Sequence, residues 1–117
     1  MKAVLLALAL LAMPAHAHDW TAPEKGWAAA WLATRAADWA QTRHIARNPA
    51  RFHERNPLLD RHPSLGDVNR YFIVSTAAML LAAHYLPKHR KGMLQVWFAV
   101  GAGYVAHNAS IGIRMEF

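Results

Sequence analysis

Two long stretches without an acidic or basic side chain decide what this chain can fold into. Residues 71–87 (17 residues) and 92–113 (22 residues) hold no Asp, Glu, Lys or Arg, and the basic turn Lys88-His89-Arg90-Lys91 lies between them. A bilayer core takes about 20 mostly apolar residues per helix, so both stretches have the length to span. They predict a membrane helical hairpin, with Arg70 and Lys88 placed to snorkel at the ends of its first arm. Mean hydropathy over the whole chain is close to zero. That average conceals a segregation, because charge gathers in residues 43–70 and 88–91. A water-soluble fold would leave about 100 residues, beyond the first 17, to cover two uncharged helices on all sides. Such a chain is too small for that.

The N-terminus carries a targeting pattern. Met1-Lys2 is a minimal basic region, residues 3–12 are apolar, Met13-Pro14 breaks the run, and Ala15-His16-Ala17 is a small-x-small cleavage signal. Residues 1–17 read as a secretory signal peptide cut after Ala17, with an uncleaved anchor as the alternative. Cleavage would leave His18 as a terminal amine and imidazole able to chelate copper. A single residue makes no site, and we read it as incidental. The +6 net charge also suits nucleic acid. Arginines in membrane-protein loops, however, set topology and meet anionic headgroups. The expected partner is therefore the lipid bilayer and not nucleic acid. The chain has no Cys, hence no disulfide framework and no thiolate chemistry.

Residues 18–117 are expected to form a single all-α membrane domain, a three-helix bundle. Its parts are a helix at 27–46, a connector at 47–64, and the hairpin helices at 65–86 and 92–114. The first helix is rich in Ala and Trp. Ala29, Ala33, Ala36 and Ala40 form a smooth stripe suited to close helix packing. Trp27, Trp31, Arg35, Asp38 and Thr42 share the opposite side. The tryptophans read as interfacial anchors. Arg35 and Asp38, three apart, can pair and lower the cost of entering a membrane, about 2.5–3.5 kcal/mol for each charge. The helix either spans with partners or lies flat on the surface as an amphipathic segment.

The connector repeats Arg-Asn-Pro at 47–49 and 55–57, and each Asn-Pro suits the start of a short helix. Ser64 with Asp67 resembles a capping box opening the next helix. His44, His53 and His62 stand nine apart, which matches no metal-ligand spacing. His53-Glu54 lacks the second His of a zinc-protease helix. No metal and no cofactor is expected.

Several motifs carry a resemblance. They are Asp38-Trp39-Ala40-Gln41-Thr42, Glu54-Arg55-Asn56-Pro57-Leu58-Leu59, His62-Pro63-Ser64 and Val68-Asn69-Arg70-Tyr71-Phe72. Together they are similar to a family of small uncharacterised bacterial membrane proteins. That family has Asp and Thr four apart in one helix, then Glu-x-Asn-Pro opening the next section. The likeness runs on through Asn108 to Ile111-Gly112-Ile113, although this chain has Asp60 where the pattern has Gly. The resemblance implies a membrane-embedded first helix and brings no activity. It marks Glu54, Asn56, Pro57, Pro63, Ser64 and Asn69 as the connector motif.

Within the hairpin, Ala99, Gly103, Ala106 and Ser110 form one small-residue stripe, and Ser75, Ala78 and Ala82 another. His84 and His107 invite a bis-histidine haem. A hairpin turning near His89 sets them at opposite ends, tens of ångströms apart at about 1.5 Å per residue. His84 falls level with Gln95, where an interhelical hydrogen bond is the simpler use. With all three helices spanning, Asp38 lies near the level of Tyr104, and Gln41 and Thr42 near His107 and Asn108. These six form a candidate intramembrane polar cluster.

Spanning also puts six connector-side arginines (43, 47, 51, 55, 61, 70) in the cytoplasm, against Lys88, Arg90 and Lys91 outside, as the positive-inside rule prefers. The expected location is the bacterial inner membrane, multi-pass, after signal-peptide targeting. Two function classes follow. One is a non-enzymatic scaffold or accessory subunit docking a membrane-protein partner or a second copy. The other is a polar site for a proton, cation or small ligand. The chain shows no nucleophile–base pair, phosphate loop or metal motif, which favours the scaffold over an enzyme.

Overall fold

The computed structural model describes residues 20–117. The expected signal peptide lies outside the described residues. Among them are three α-helices and no strand: α1 at Ala22–Arg47, α2 at Leu65–Tyr85 and α3 at Arg90–Ser110. The all-α, three-helix expectation holds. No helix among the described residues is long and apolar enough to cross a membrane. Charge-free length and mean apolarity therefore part company in these helices. Asn69, Arg70 and His84 dilute α2, and Gln95, His107 and Asn108 dilute α3.

The helix ends explain where the boundaries differ from expectation. α1 begins five residues before 27, because Thr21 and Glu24 form a capping box. Thr21 Oγ1 accepts the Glu24 N–H at 3.3 Å, and Glu24 Oε1 accepts the Thr21 N–H at 3.4 Å. Pro23 sits in the first turn, where its missing N–H costs nothing. The Asn-Pro repeats open no helices. Asn48 closes α1, its Nδ2 donating to the His44 carbonyl at 2.8 Å. Asn56 holds a turn, its Oδ1 accepting from Leu58 N at 3.0 Å. Ser64 does cap α2, accepting from Asp67 N at 3.1 Å.

α3 ends at Ser110, four residues short of 114. Gly112 takes φ +89°, a left-handed conformation that L side chains rarely adopt. The Ile113 N–H bonds the Asn108 carbonyl (3.0 Å) and the Gly112 N–H that of Ala109 (3.2 Å), a Schellman closure. The chain then turns back. Ile113 is buried, and Glu116 N donates to the Ala40 carbonyl at 3.0 Å.

α1 is the central element. It packs along both other helices, most extensively along α3, while α2 and α3 barely meet. The face of α1 that turns inward is the Trp side. Trp31 is 1% exposed and packs on Trp97 with ring centroids 5.3 Å apart; Trp27 meets Phe98 edge-on, and Trp39 stacks on Phe72. These tryptophans are core residues and not interfacial anchors. Burying an indole removes far more apolar area from solvent than burying an Ala methyl. The smooth stripe of α1 accordingly turns outward except at Ala40, which is buried, and that of α3 turns outward along its length. Ala29, Ala33 and Ala36 are exposed, as are Ala99, Gly103, Ala106 and Ser110. The close approach of α1 and α3 falls instead at Gly101, where a Cβ would stand 2.6 Å from Thr34 Oγ1.

One end of the bundle is closed by Arg90, which is 1% exposed. Its guanidinium donates to the Ala83 (2.8 Å) and His84 (2.7 Å) carbonyls and to Glu24 Oε2 (3.0 Å), and lies 4.3 Å over the Trp20 ring. Arg90 therefore caps the orphan carbonyls of α2 and is not a solvated topology charge. Burial alone would raise the Glu24 pKa. The hydrogen bonds from Thr21 and Arg90 outweigh it and hold the carboxyl below its ordinary 4.5. The His84 ring accepts the Trp20 indole N–H at 3.3 Å in place of the expected Gln95.

Candidate functional site

Solid packing occupies the half of the bundle near the 86–89 turn, around Trp31, Leu80 and Leu94. The other half is hollow. A cavity of about 420 Å³ lies where α2 and α3 splay apart, with α1 as its floor and connector residues 53–57 at its mouth. Its lining is graded along α1. Trp31 meets Met79, Trp97 and Val100 at the inner end; Asp38 lies in the middle; Thr42 lies toward the mouth. These α1 positions recur at helical spacing, so one face of one helix supplies the gradient. Val100 and Tyr104 line the cavity and are also exposed. The cleft is thus open sideways between α2 and α3.

Most of the expected polar cluster meets here. Asp38, Thr42, Tyr104, His107 and Asn108 line the cleft. Gln41 does not line it and is buried beside it. Its Nε2 donates to the Val105 carbonyl (3.0 Å) and its Oε1 accepts from Asn108 Nδ2 (3.2 Å), joining α1 to α3. Asp38 and His107 share the cleft without bonding each other. Thr42 Oγ1 donates to the Asp38 carbonyl at 2.8 Å and only distantly, at 3.4 Å, to its carboxylate.

Arg35 does not form the expected ion pair with Asp38. Its Nε donates to Thr76 Oγ1 at 2.9 Å and its Nη2 to Ser75 Oγ, with the guanidinium 4.7 Å over the Phe72 ring. It ties α1 to α2.

The connector motif divides in two. Glu54, Asn56 and Pro57 reach the cleft. Glu54 Oε1 accepts the N–H groups of Arg55 and Asn56, both at 2.9 Å, which bends the loop and holds the carboxylate at the mouth. Pro63, Ser64 and Asn69 lie outside the cleft and build the entry to α2. Asn69 Oδ1 accepts from both Trp39 Nε1 (2.9 Å) and Arg43 Nη1 (2.8 Å).

Sequence reasoning missed the apolar wall residues Met79, Trp97 and Gly101, and the use of Arg35 as a cross-helix donor. The spacing of Trp31, Arg35, Asp38 and Thr42 on one face was the available signal. The folded-back tail was also missed. Glu116 stands 2.7 Å from His44 Nδ1 and 3.0 Å from Arg47 Nη1. The His44 and Arg47 bonds, in that order, hold its pKa below 4.5. Among the described residues no three His, Cys, Asp or Glu groups are placed to hold a metal ion. Comparison with known proteins finds no matching family model, no similar curated protein and no similar solved structure.

Proposed function

We propose that this chain is a small, non-enzymatic binding unit embedded in a bacterial inner membrane, whose cleft admits a small ligand from the bilayer. One observation carries the reading: a cavity with apolar inner walls and a carboxylate opens sideways through a belt of uncharged surface. The belt runs from Lys25 to Arg43 on α1, from Arg70 on α2 to Lys88 just past its end, and from Lys91 on α3 to Arg114 just past its end. Within it the only charged side chains, Arg35 and Asp38, line the cleft. The charge-free helical part of α2, residues 71–85, measures about 22 Å and that of α3, residues 92–110, about 28 Å at 1.5 Å per residue, against the roughly 30 Å of a hydrocarbon core. Outward residues in the belt include Val74 (61% exposed) and Val96 (60%). Hydropathy summed along each helix averages this outer face with an inner polar one. Low mean apolarity is thus compatible with a lipid-facing exterior.

The absence of native Cys makes the test direct. Spin labels on Val74→Cys and Val96→Cys in reconstituted protein should relax with dissolved oxygen and be shielded from an aqueous nickel chelate. Met79→Cys, inside the cleft, should react with a lipophilic maleimide. Nickel access at Val74 and Val96 would put these faces in water and overturn the membrane reading. A Met79 thiol unreachable by the lipophilic reagent would overturn the open cleft.

The scaffold reading draws on a different observation, the outward stripe of Ala99, Gly103, Ala106 and Ser110, which suits a second copy or a membrane-protein partner. Disulfide capture between two Gly103→Cys chains in membranes would favour it.

A further inference from the structure

We infer that the C-terminal strap, residues 111–117, is a clasp that sets the width of the cleft. It holds the last turns of α3 against α1, and its release lets that end of α3 swing away from α2. This rests on the cleft proposed above and adds how its opening is controlled.

Named bonds draw the path of the strap. Gly112, at φ +89°, turns the chain back from the end of α3, and Ile113 tucks in at 6% exposure. Glu116 N then donates to the Ala40 carbonyl at 3.0 Å. The Glu116 carboxylate spans two side chains of α1. Its Oε1 lies 2.7 Å from His44 Nδ1, and its Oε2 accepts from Arg47 Nη1 at 3.0 Å. Ala40, His44 and Arg47 follow one another at helical spacing, on one face. Ala40 lies nine residues from Trp31, about two and a half turns, so this face is the back of α1, opposite the cleft floor. The burial of Ala40 agrees. Ala29, Ala33 and Ala36 on the same stripe are exposed, whereas Ala40, bonded by the strap, is 2% exposed. The strap thus reaches behind α1 and ties the end of α3 to its far side.

The position of that end decides the cleft. α2 and α3 barely meet, so the placement of α3 depends on its contacts with α1. Near the 86–89 turn the two are joined by apolar packing, and the apolar cluster reaches no further along α3 than Phe98. Gly101 lies against Thr34 in the middle. Beyond Gly101 the holds are polar. Gln41 bonds to Val105 and Asn108, and the strap bonds to Ala40, His44 and Arg47. The α3 side of the cleft mouth is built from this same stretch, by Tyr104, His107, Asn108 and Ile111, and Ile113 of the strap joins it. A helix end held by a few polar bonds and one buried apolar side chain belongs to the low-stability part of a fold. With the Gly101–Thr34 contact as pivot, freeing the strap moves one wall of the cleft and leaves the packed half in place. Glu116 is the latch, since removing its charge loosens the His44 and Arg47 contacts together.

The test uses the full chain in nanodiscs of phosphatidylcholine. Spin labels on Val74→Cys and Ala106→Cys stand on α2 and α3 toward the connector end. Labels on Leu81→Cys and Val96→Cys stand on the same helices toward the turn. Pulsed electron–electron resonance should give one narrow distance for each pair in the parent. Glu116→Gln should lengthen and broaden the 74–106 distance while the 81–96 distance holds. Hydrogen exchange at the Glu116 position, whose amide bonds Ala40, should quicken by up to about fivefold in the same variant, the range of a partly exposed ion pair. Ending the chain at Ile111 should widen the 74–106 pair further; where that shortened chain does not fold, Glu116→Gln alone decides. A 74–106 distance unchanged in Glu116→Gln, with or without faster exchange, would overturn the clasp. That result leaves the cleft itself to Met79→Cys, whose reaction with the lipophilic maleimide in a chain with Glu116 intact does not depend on release of the strap.

Discussion

Arg90 shows how much one side chain holds here. Its planar fork reaches two carbonyls at the end of α2, the Glu24 carboxylate on α1 and the Trp20 ring at once. A Lys ammonium is a point charge on a flexible stem and cannot reproduce that geometry. Arg90→Met should cost about 3–5 kcal/mol, because it leaves Glu24 buried without its cation. Arg90→Lys should recover only part of the loss. Reversible unfolding in mixed micelles measures both, and a Lys variant as stable as the parent would refute the role of the fork. The same pair sets a pH dependence. The folded pKa of Glu24 lies below its ordinary 4.5, so its contribution is complete above that value and fades as pH falls through the folded pKa. Stability should therefore drop below pH 4.5. Glu24→Gln should flatten that drop while lowering stability at neutral pH. An unchanged acid profile in Glu24→Gln would exclude this carboxyl as the cause.

At the scale of elements, Gly101 and Thr34 set how closely α3 lies on α1. A Cβ at Gly101 would meet Thr34 Oγ1 at 2.6 Å and Cβ at 3.1 Å. Thr34 cannot easily turn away, since its hydroxyl donates to the Trp31 carbonyl at 2.6 Å. Gly101→Ala gains up to about 1 kcal/mol of helix propensity but should lose about 1–3 kcal/mol to overpacking. We expect net destabilisation, partly restored by adding Thr34→Ala; a more stable single variant would disprove the contact. The helices themselves were legible, because α2 and α3 follow from charge-free length and Ser64 marks the start of α2. The start of α1 was equally written in Thr21-Ala22-Pro23-Glu24, although the alanine-rich run beginning at Trp27 carries the stronger helical signal. Which face of α1 turns inward was not legible from smoothness alone. Ala stripes and Trp stripes both suit packing, and the choice depends on the area the partner helices can cover. The tail was harder still, since Glu116 finds His44 and Arg47 only after Gly112 reverses the chain.

For the whole molecule, the candidate site was legible as a list of polar residues at similar depth, but not as a space. Asp38, Thr42, Tyr104 and His107 were placed together by counting helical rise, and they do share the cleft. Counting could not reveal that α2 and α3 splay, because that follows from α1 wedging its Trp face between them. Nor could hydropathy summed along each helix reveal the belt, because it averages half-buried Asn69, Gln95 and Asn108 with outward Val74, Leu81 and Val96. The belt makes the sharpest prediction about the molecule's surroundings. Ala78 and Ala99 lie on outward faces near mid-belt, and Gly92 lies at its rim. In lipid, Asp at 78 or 99 should cost about 2.5–3.5 kcal/mol of insertion, whereas Asp at the rim should cost far less. On a water-exposed face all three should fall within about 0.5 kcal/mol of the parent. The measurement is the fraction of Ala78→Asp, Ala99→Asp and Gly92→Asp chains that resists alkaline extraction from membranes. A selective loss for the two mid-belt variants is expected. Equal retention of all three would mean that this uncharged surface does not face lipid.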